Sequence, residues 1–249
     1  MGHGDKETVV FSKVKDAFFK SLEQVELSDD LAEISKILET AKPNDNSSDF
    51  PDFIFDIGFI EHFQVTSSKE TRKGAEHIKD KNIHDGKLAV IEKKIAQGEI
   101  KQVVRREFKY PKHSYDYFLN SFKKNWDSHI ESLSKYEQDY ETGIFFIQYT
   151  DFALEMMEYF DDSSNQSKTR PSGVPRHYED YRLSKDKNLL LFIKKDKDKL
   201  KYVIFLNRSQ VEIIILSEVD ELLSAANWDV AIAARPVSIE VDRYIPISF

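Results

Sequence analysis

Cysteine is absent from the 249 residues, which excludes a disulfide framework and any thiolate-held metal and predicts a reducing, cytoplasmic setting. Long apolar runs are missing too. Stretches such as VEIIIL at 211–216 fall far short of the ~20 residues a membrane helix requires, so no membrane partner is expected. The opening MGHGDKETVV has no basic segment leading into an apolar one, which predicts no secretory signal. Histidines are scattered, with no HExxH helix and no close pair at ligand spacing, and zinc is disfavoured accordingly. A glycine-rich phosphate loop, a dinucleotide fingerprint and a nucleophile elbow are all lacking. No serine has an identifiable His and acid partner along the chain, and neither internal repeats nor heptads occur.

What is present is bulk for a core. Hydrophobic residues make up 40% of the chain, and eighteen Phe with eleven Tyr supply the large side chains that a disordered chain is usually without. The length suits one sizeable core or a main domain with a smaller lobe. The net charge of -8 is unevenly spread. Residues 67–124 hold fifteen Lys or Arg against eight Asp or Glu, a local excess of +7 that leaves -15 for the rest. A basic segment between acidic flanks is compatible with a phosphate-facing surface, and equally with a solvated helix face.

Apolar spacing of three and four predicts two amphipathic helices between residues 6 and 41, the second capped by Ser28 ahead of Asp29 and Asp30. The turn-rich KPNDNSSDFP at 42–51 ends them. FIFD and FIEHFQVT read as strands, with Ile57 and Gly58 as a tight turn. Residues 69–110 return to a charged helical pattern. A long helix follows at about 113–138, with Phe118, Phe122, Trp126, Ile130 and Leu133 on one face. GIFFIQYT at 143–150 reads as a buried strand and DFALEMMEYF as a short helix. SSNQSKTRPSGVPRH at 163–177 has linker composition. NLLLFIKK, LKYVIFLN and VEIIILSE then suggest a three-strand antiparallel meander, VDELLSAAN a helix, and VAIAAR with SIEVDRYIPI further strands. The expected fold is α+β: a helical and mixed-sheet core over 1–162, the linker at 163–177, and a β-rich C-terminal lobe over 178–249, the two lobes possible as one continuous domain.

FPDFIFDIGFIEHFQVTSS at 50–68 is the most chemically suggestive stretch. A turn at Ile57 and Gly58 would put Asp52, Asp56 and Glu61 on one face of a hairpin, with His62 beside Gln64 on the other. Like charges gathered in this way repel unless a cation, a base or a raised pKa relieves them. Mg²⁺ suits such a set of hard oxygen donors. In the plainer reading the aspartates cap or flank the strand and Glu61 pairs with a basic residue.

The order of an N-terminal helix, an acidic-tipped strand pair, FIEHFQVTSS, a basic segment and a later buried strand resembles the PD-(D/E)xK nuclease-like superfamily over about residues 10–150. In that family an Asp and a following acid bind the metal, and a Lys two residues beyond the second acid activates or orients the attacking water. Pro51 and Asp52 look like the first element, with Asp56 as a rival, and Glu61 looks like the second. Phe63 occupies the lysine position. The resemblance therefore implies metal ligation by Asp52, Asp56 and Glu61, and catalytic roles for Asp56, Glu61, Gln64 and Lys73. Lys69, Arg72, Lys73, Arg105 and Arg106 would bind nucleic acid. The implied function is Mg²⁺-dependent cleavage of nucleic-acid phosphodiesters. Its alternative is a non-catalytic binding or regulatory protein on a degenerate fold of this kind, with a protein partner.

Overall fold

The computed structural model describes residues 3–22, 28–45, 50–71, 74–75, 86, 89–90, 93–94, 96–97, 104–109, 113–151, 153–160, 175–208, 210–224, 228–234 and 238–243. Two helices open the chain, α1 (His3–Leu22) and α2 (Asp29–Thr40). Ser28 caps α2 by accepting from the Leu31 N–H at 3.3 Å, and Asp29 and Asp30 lie in its first turn, where the helix dipole favours acids. The strands β1 (Lys42–Pro43), β2 (Phe53–Phe55) and β3 (Gly58–Val65) follow. Then come β4 (Glu70–Thr71), paired with β5 (Gly74–Ala75), and β6 (Val104–Lys109). The helix α3 (Tyr115–Ser134) starts at Ser114, whose Oγ accepts from the Tyr117 N–H at 3.1 Å.

The remaining elements are β7 (Thr142–Tyr149), β8 (Leu154–Phe160), β9 (Arg176–Tyr178), α4 (Lys187–Ile193), β10 (Tyr202–Asn207), β11 (Gln210–Ile215), α5 (Val219–Ser224), β12 (Trp228–Ala234) and β13 (Ser238–Arg243). A six-stranded mixed sheet in the order β1-β2-β3-β7-β10-β11 forms the centre. Its β3, β7 and β10 run parallel, while β1–β2, β2–β3 and β10–β11 pair antiparallel. A second sheet, β12-β8-β9, is antiparallel throughout, and β6 pairs antiparallel with β13. The molecule is thus α+β.

Alternation along the parallel strands divides the core between the two faces of the central sheet. On one face Phe59, Phe63, Val65, Phe145, Ile147, Tyr149, Val203 and Phe205 pack with Phe118, Phe122, Trp126 and Leu133 of α3 and with α4. On the other, Ile60, Ile144, Phe146, Tyr202, Ile204 and Leu206 meet Phe11, Val14 and Phe18 of α1 and Ile34, Ile37 and Leu38 of α2. Each fully buried aromatic or aliphatic side chain contributes about 1.5–3 kcal/mol, so the two layers of helices are held chiefly by this burial. Trp126, with no exposed surface, also satisfies its indole N–H on Asp196 Oδ2 at 2.9 Å.

Several expected elements change type. NLLLFIKK is not a meander strand but α4. Asp186 caps it by accepting from the Leu189 N–H at 3.1 Å, and Leu189, Leu190 and Ile193 are buried while Leu191 is exposed, a helical spacing. The other two expected meander strands are β10 and β11, which complete the central sheet. DFALEMMEYF yields β8 rather than a helix. Its buried positions are Leu154, Met156 and Glu158, a period of two hidden in the sequence because one inward residue is acidic. RREFK, expected to end a helical stretch, lies in β6. Most of the expected linker, residues 163–174, lies outside the described residues.

Candidate metal centre

The β2–β3 register decides where the acids fall. Phe53 pairs with Ile60, Ile54 with Phe59 and Phe55 with Gly58, so the turn is Asp56–Ile57 and not Ile57–Gly58. Gly58 is needed for a different reason: a Cβ there would stand 1.9 Å from the Thr142 carbonyl oxygen of β7. Moving the pairing by two positions keeps every residue on its expected face, yet it brings Asp52 rather than Ile54 opposite Glu61. Asp56 is carried to the exposed hairpin tip, four residues or ~13 Å along the strand from Asp52.

Because β2 pairing stops at Phe53, the backbone beyond Ile60 in β3 needs other partners on that edge. Asp52 supplies one. Its Oδ2 accepts from the His62 backbone N–H at 2.7 Å, and its own backbone N–H donates to Glu61 Oε2 at 3.1 Å. Glu61 Oε1 lies 2.7 Å from His129 Nδ1 of α3. The His129 ring stacks on Phe63, centroids 4.5 Å apart and planes 12° from parallel. Phe63, in the position where the resemblance expects a lysine, is therefore the seat for an imidazole.

Glu7, from the first turns of α1, comes to the other side of Asp52. Glu7, Asp52 and His62 each offer one ligand atom, and these atoms lie within 4.8 Å of one another. Glu7 and His62 are buried and Asp52 is half-buried. Burial pushes the Asp52 carboxyl up to about 8, and the charge of Glu61 adds to this; the His62 N–H opposes it, and Glu7 raises it further. Such crowding of acids is what a cation relieves.

The group that could hold a metal ion thus differs from the set expected. Among the described residues it is Glu7, Asp52 and His62, leaving out Asp56 and Glu61. Elements of the plainer reading coexist with it, since Asp52 does cap a strand N–H and Glu61 does pair with a basic residue. Gln64 is exposed and donates to Gln148 Oε1 at 3.1 Å, and Lys69 is exposed. Arg72 and Lys73 lie outside the described residues, and Arg105 and Arg106 are in β6. Glu7 and His129 carry no motif of their own; an amphipathic phase on α1 and α3 that turns one polar residue toward the strand was the available signal.

A second polar cluster joins the C-terminal ends of β3 and β7. Asp151 Oδ2 accepts from Thr66 Oγ1, the Ser67 N–H, Ser67 Oγ and the Ser68 N–H at 2.5, 2.5, 3.1 and 3.2 Å. Ser67 Oγ also lies 2.9 Å from His113 Nδ1 and 2.7 Å from the Tyr149 hydroxyl. The residue types are those of a nucleophilic relay, but the order is not: Asp151 bonds Ser67, with His113 3.6 Å away, and Ser67 has no exposed surface. The cluster is a latch. Its outer edge is the Ser68↔His113 bridge, reinforced by the Ser114 N–H donating to the Ser67 carbonyl at 2.9 Å.

No family model, curated protein or solved structure matches the chain. Among the described residues, no helix is long and apolar enough to cross a membrane.

Proposed function

We propose that the protein is a divalent-metal-dependent phosphodiesterase on a nuclease-like core, of the kind the PD-(D/E)xK resemblance implies, with nucleic acid as substrate. The observation that carries this reading is the convergence of Glu7, Asp52 and His62 at the open edge of β3. Further support comes from the element order, in which an N-terminal helix, a strand pair, a helix and a parallel buried strand follow one another. The donor set, two carboxylates and an imidazole, admits Mg²⁺ with several waters and suits Mn²⁺ better. A divalent ion there would lower the pKa of water and offset charge on the phosphate being cleaved. The chain's own contribution is to hold Asp52 against the strand edge through the His62 N–H and to keep Glu61 oriented through the Asp52 N–H. The +7 excess of residues 67–124 would attract the phosphate backbone.

Crystals soaked in Mn²⁺ should show an ordered ion between Glu7, Asp52 and His62, and Mn²⁺ should raise the melting midpoint of the wild type but not of Asp52→Asn. Mn²⁺-dependent nicking of duplex or single-stranded nucleic acid completes the test. An ion bound without cleavage would leave the non-catalytic binding protein as the better account, and no ion at all would end the metal reading.

A further inference from the structure

The two edges of the central sheet are built differently. At one end β1 is two residues long and consists of Lys42 and Pro43, a charge and a ring without an N–H, both of which keep an edge from pairing. At the other end β11 runs for six residues, QVEIII, with no Lys and no Pro. Its ladder shows which backbone groups are spare. The Leu216 N–H donates to the Lys201 carbonyl at 3.0 Å, and the register of β10 with β11 continues from that pair. Bonded and unbonded pairs alternate in an antiparallel ladder, so Ile214, Glu212 and Gln210 turn their N–H and C=O groups toward β10. Val211, Ile213 and Ile215 turn theirs outward, three donors and three acceptors along the open edge. Among the described residues none of these six groups meets a partner, and all three residues keep part of their surface exposed.

We propose that the β11 edge seats a second copy of this chain, the two edge strands pairing antiparallel about a two-fold axis at Ile213. Such a contact must be self-complementary, residue i meeting j while j meets i. About Ile213 the strand meets that condition: Ile213 faces Ile213 of the second copy and Val211 faces Ile215, pairs that use all six outward groups. The side chains of Val211, Ile213 and Ile215, which fringe the core packed on α1 and α2, gain one another as cross-strand neighbours. Charge fits the same register. Exposed Arg208, which also meets Asp180 of its own chain at 3.3 Å, comes toward exposed Glu218 of the second copy at both ends of the seam. Glu212 adds no repulsion, because its side chain turns to the other face of the sheet and accepts from the Leu183 N–H at 2.6 Å and Ser184 Oγ at 2.7 Å. The pairing joins two six-stranded sheets into one and leaves β2 and β3 remote from the seam.

The proposal is independent of the phosphodiesterase reading. Sedimentation velocity of the full chain over a range of concentrations should show a reversible step from the 29.1 kDa chain to twice that mass. Ile213→Pro removes the N–H at the axis, which makes no bond within the chain, and should weaken association ~10-fold or more because two hydrogen bonds are lost per dimer. An edge strand accepts proline at such a position, so its circular dichroism should match that of the wild type. Glu218→Arg changes only the surface and should also weaken association, while Arg208→Glu combined with Glu218→Arg should restore it, a rescue specific to the register about Ile213. A wild type that stays monomeric at every concentration overturns the proposal, and so does a dimer that forms equally well in Ile213→Pro and Glu218→Arg. Failure of the double variant to regain what Glu218→Arg loses overturns the two-fold register. Amide-exchange protection of Val211, Ile213 and Ile215 in a monomer would assign the edge to another stretch of the same chain instead.

Discussion

Asp52 links the electrostatics of the centre to the stability of the fold, and Asp52→Asn isolates the link. In the folded protein burial, together with the Glu61 charge, pushes this carboxyl up to about 8, against ~3.9 for an exposed aspartate in the unfolded chain. The folded state therefore binds the proton more tightly than the unfolded one. The associated stability is fully present below about pH 4 and is lost as the pH rises toward 8. One group can contribute at most about 1.4 kcal/mol per pH unit, which over this window sets a ceiling of roughly 6 kcal/mol. Glu61 and Glu7 share the same repulsion and solvent reaches part of the carboxyl, so about 2–3 kcal/mol is the expected size. The Asn carbonyl can still accept the His62 N–H, so the strand edge stays capped and only the charge disappears. Urea unfolding of the metal-free protein at pH 5, 6, 7 and 8 should show Asp52→Asn gaining on the wild type with each step. Added Mn²⁺ at pH 8 should close the gap by stabilising the wild type alone. Parallel pH curves for the two proteins would refute the reasoning.

Three further outcomes are expected. Gly58→Ala should cost at least about 2 kcal/mol in urea unfolding, because its methyl would meet the Thr142 carbonyl of the neighbouring parallel strand. Asp151→Ala should cost about 3 kcal/mol, since the buried Ser67 N–H loses its acceptor while the Ser68 N–H and the Thr66 and Ser67 hydroxyls each lose one of their partners; loss of amide-exchange protection at the end of β3 would report it locally. Binding to a nonspecific duplex should weaken with salt by about 0.9 counterion per phosphate neutralised, and replacing Lys69, Arg72 and Lys73 together by Ala should flatten that slope. Equal slopes would remove those side chains from the interface.

The helices that carry the outer layers were legible because their signals are local: Ser28 before Asp29 and Asp30, and the Phe118, Phe122, Trp126 spacing on α3. Short apolar segments were not. LLLFI fits either period, and only Asp186, reaching forward to the Leu189 N–H, makes it helical. In β8 the inward Glu158 breaks the apolar alternation; it is buried because the Tyr178 hydroxyl and Lys185 meet it there. At the centre, the acids of residues 52–61 were visible as a cluster, but their pairing depended on a turn that propensity misplaced by one residue. The carbonyl of Thr142, 84 positions beyond Gly58, is what bars a side chain at that position. His129 lies 68 residues from the glutamate it holds, and its approach comes from the phase of α3 on the sheet. No local pattern records such a meeting.

The latch at the end of β3 makes residues 69–112 an insertion between two neighbouring points of the fold. Ser68 and His113 face each other as bridge partners, so the chain departs for residues 69–112 and returns to the place it left. A segment with its two ends side by side on a rigid base can be exchanged, lengthened or excised without re-registering the sheet, at the loss here of the β6–β13 pairing. Residues 69–112 hold thirteen Lys or Arg against seven Asp or Glu, so most of the local basic excess of residues 67–124 enters and leaves the sheet at this one point. A chimera joining Ser68 to His113 through a short turn would be the minimal form of the scaffold.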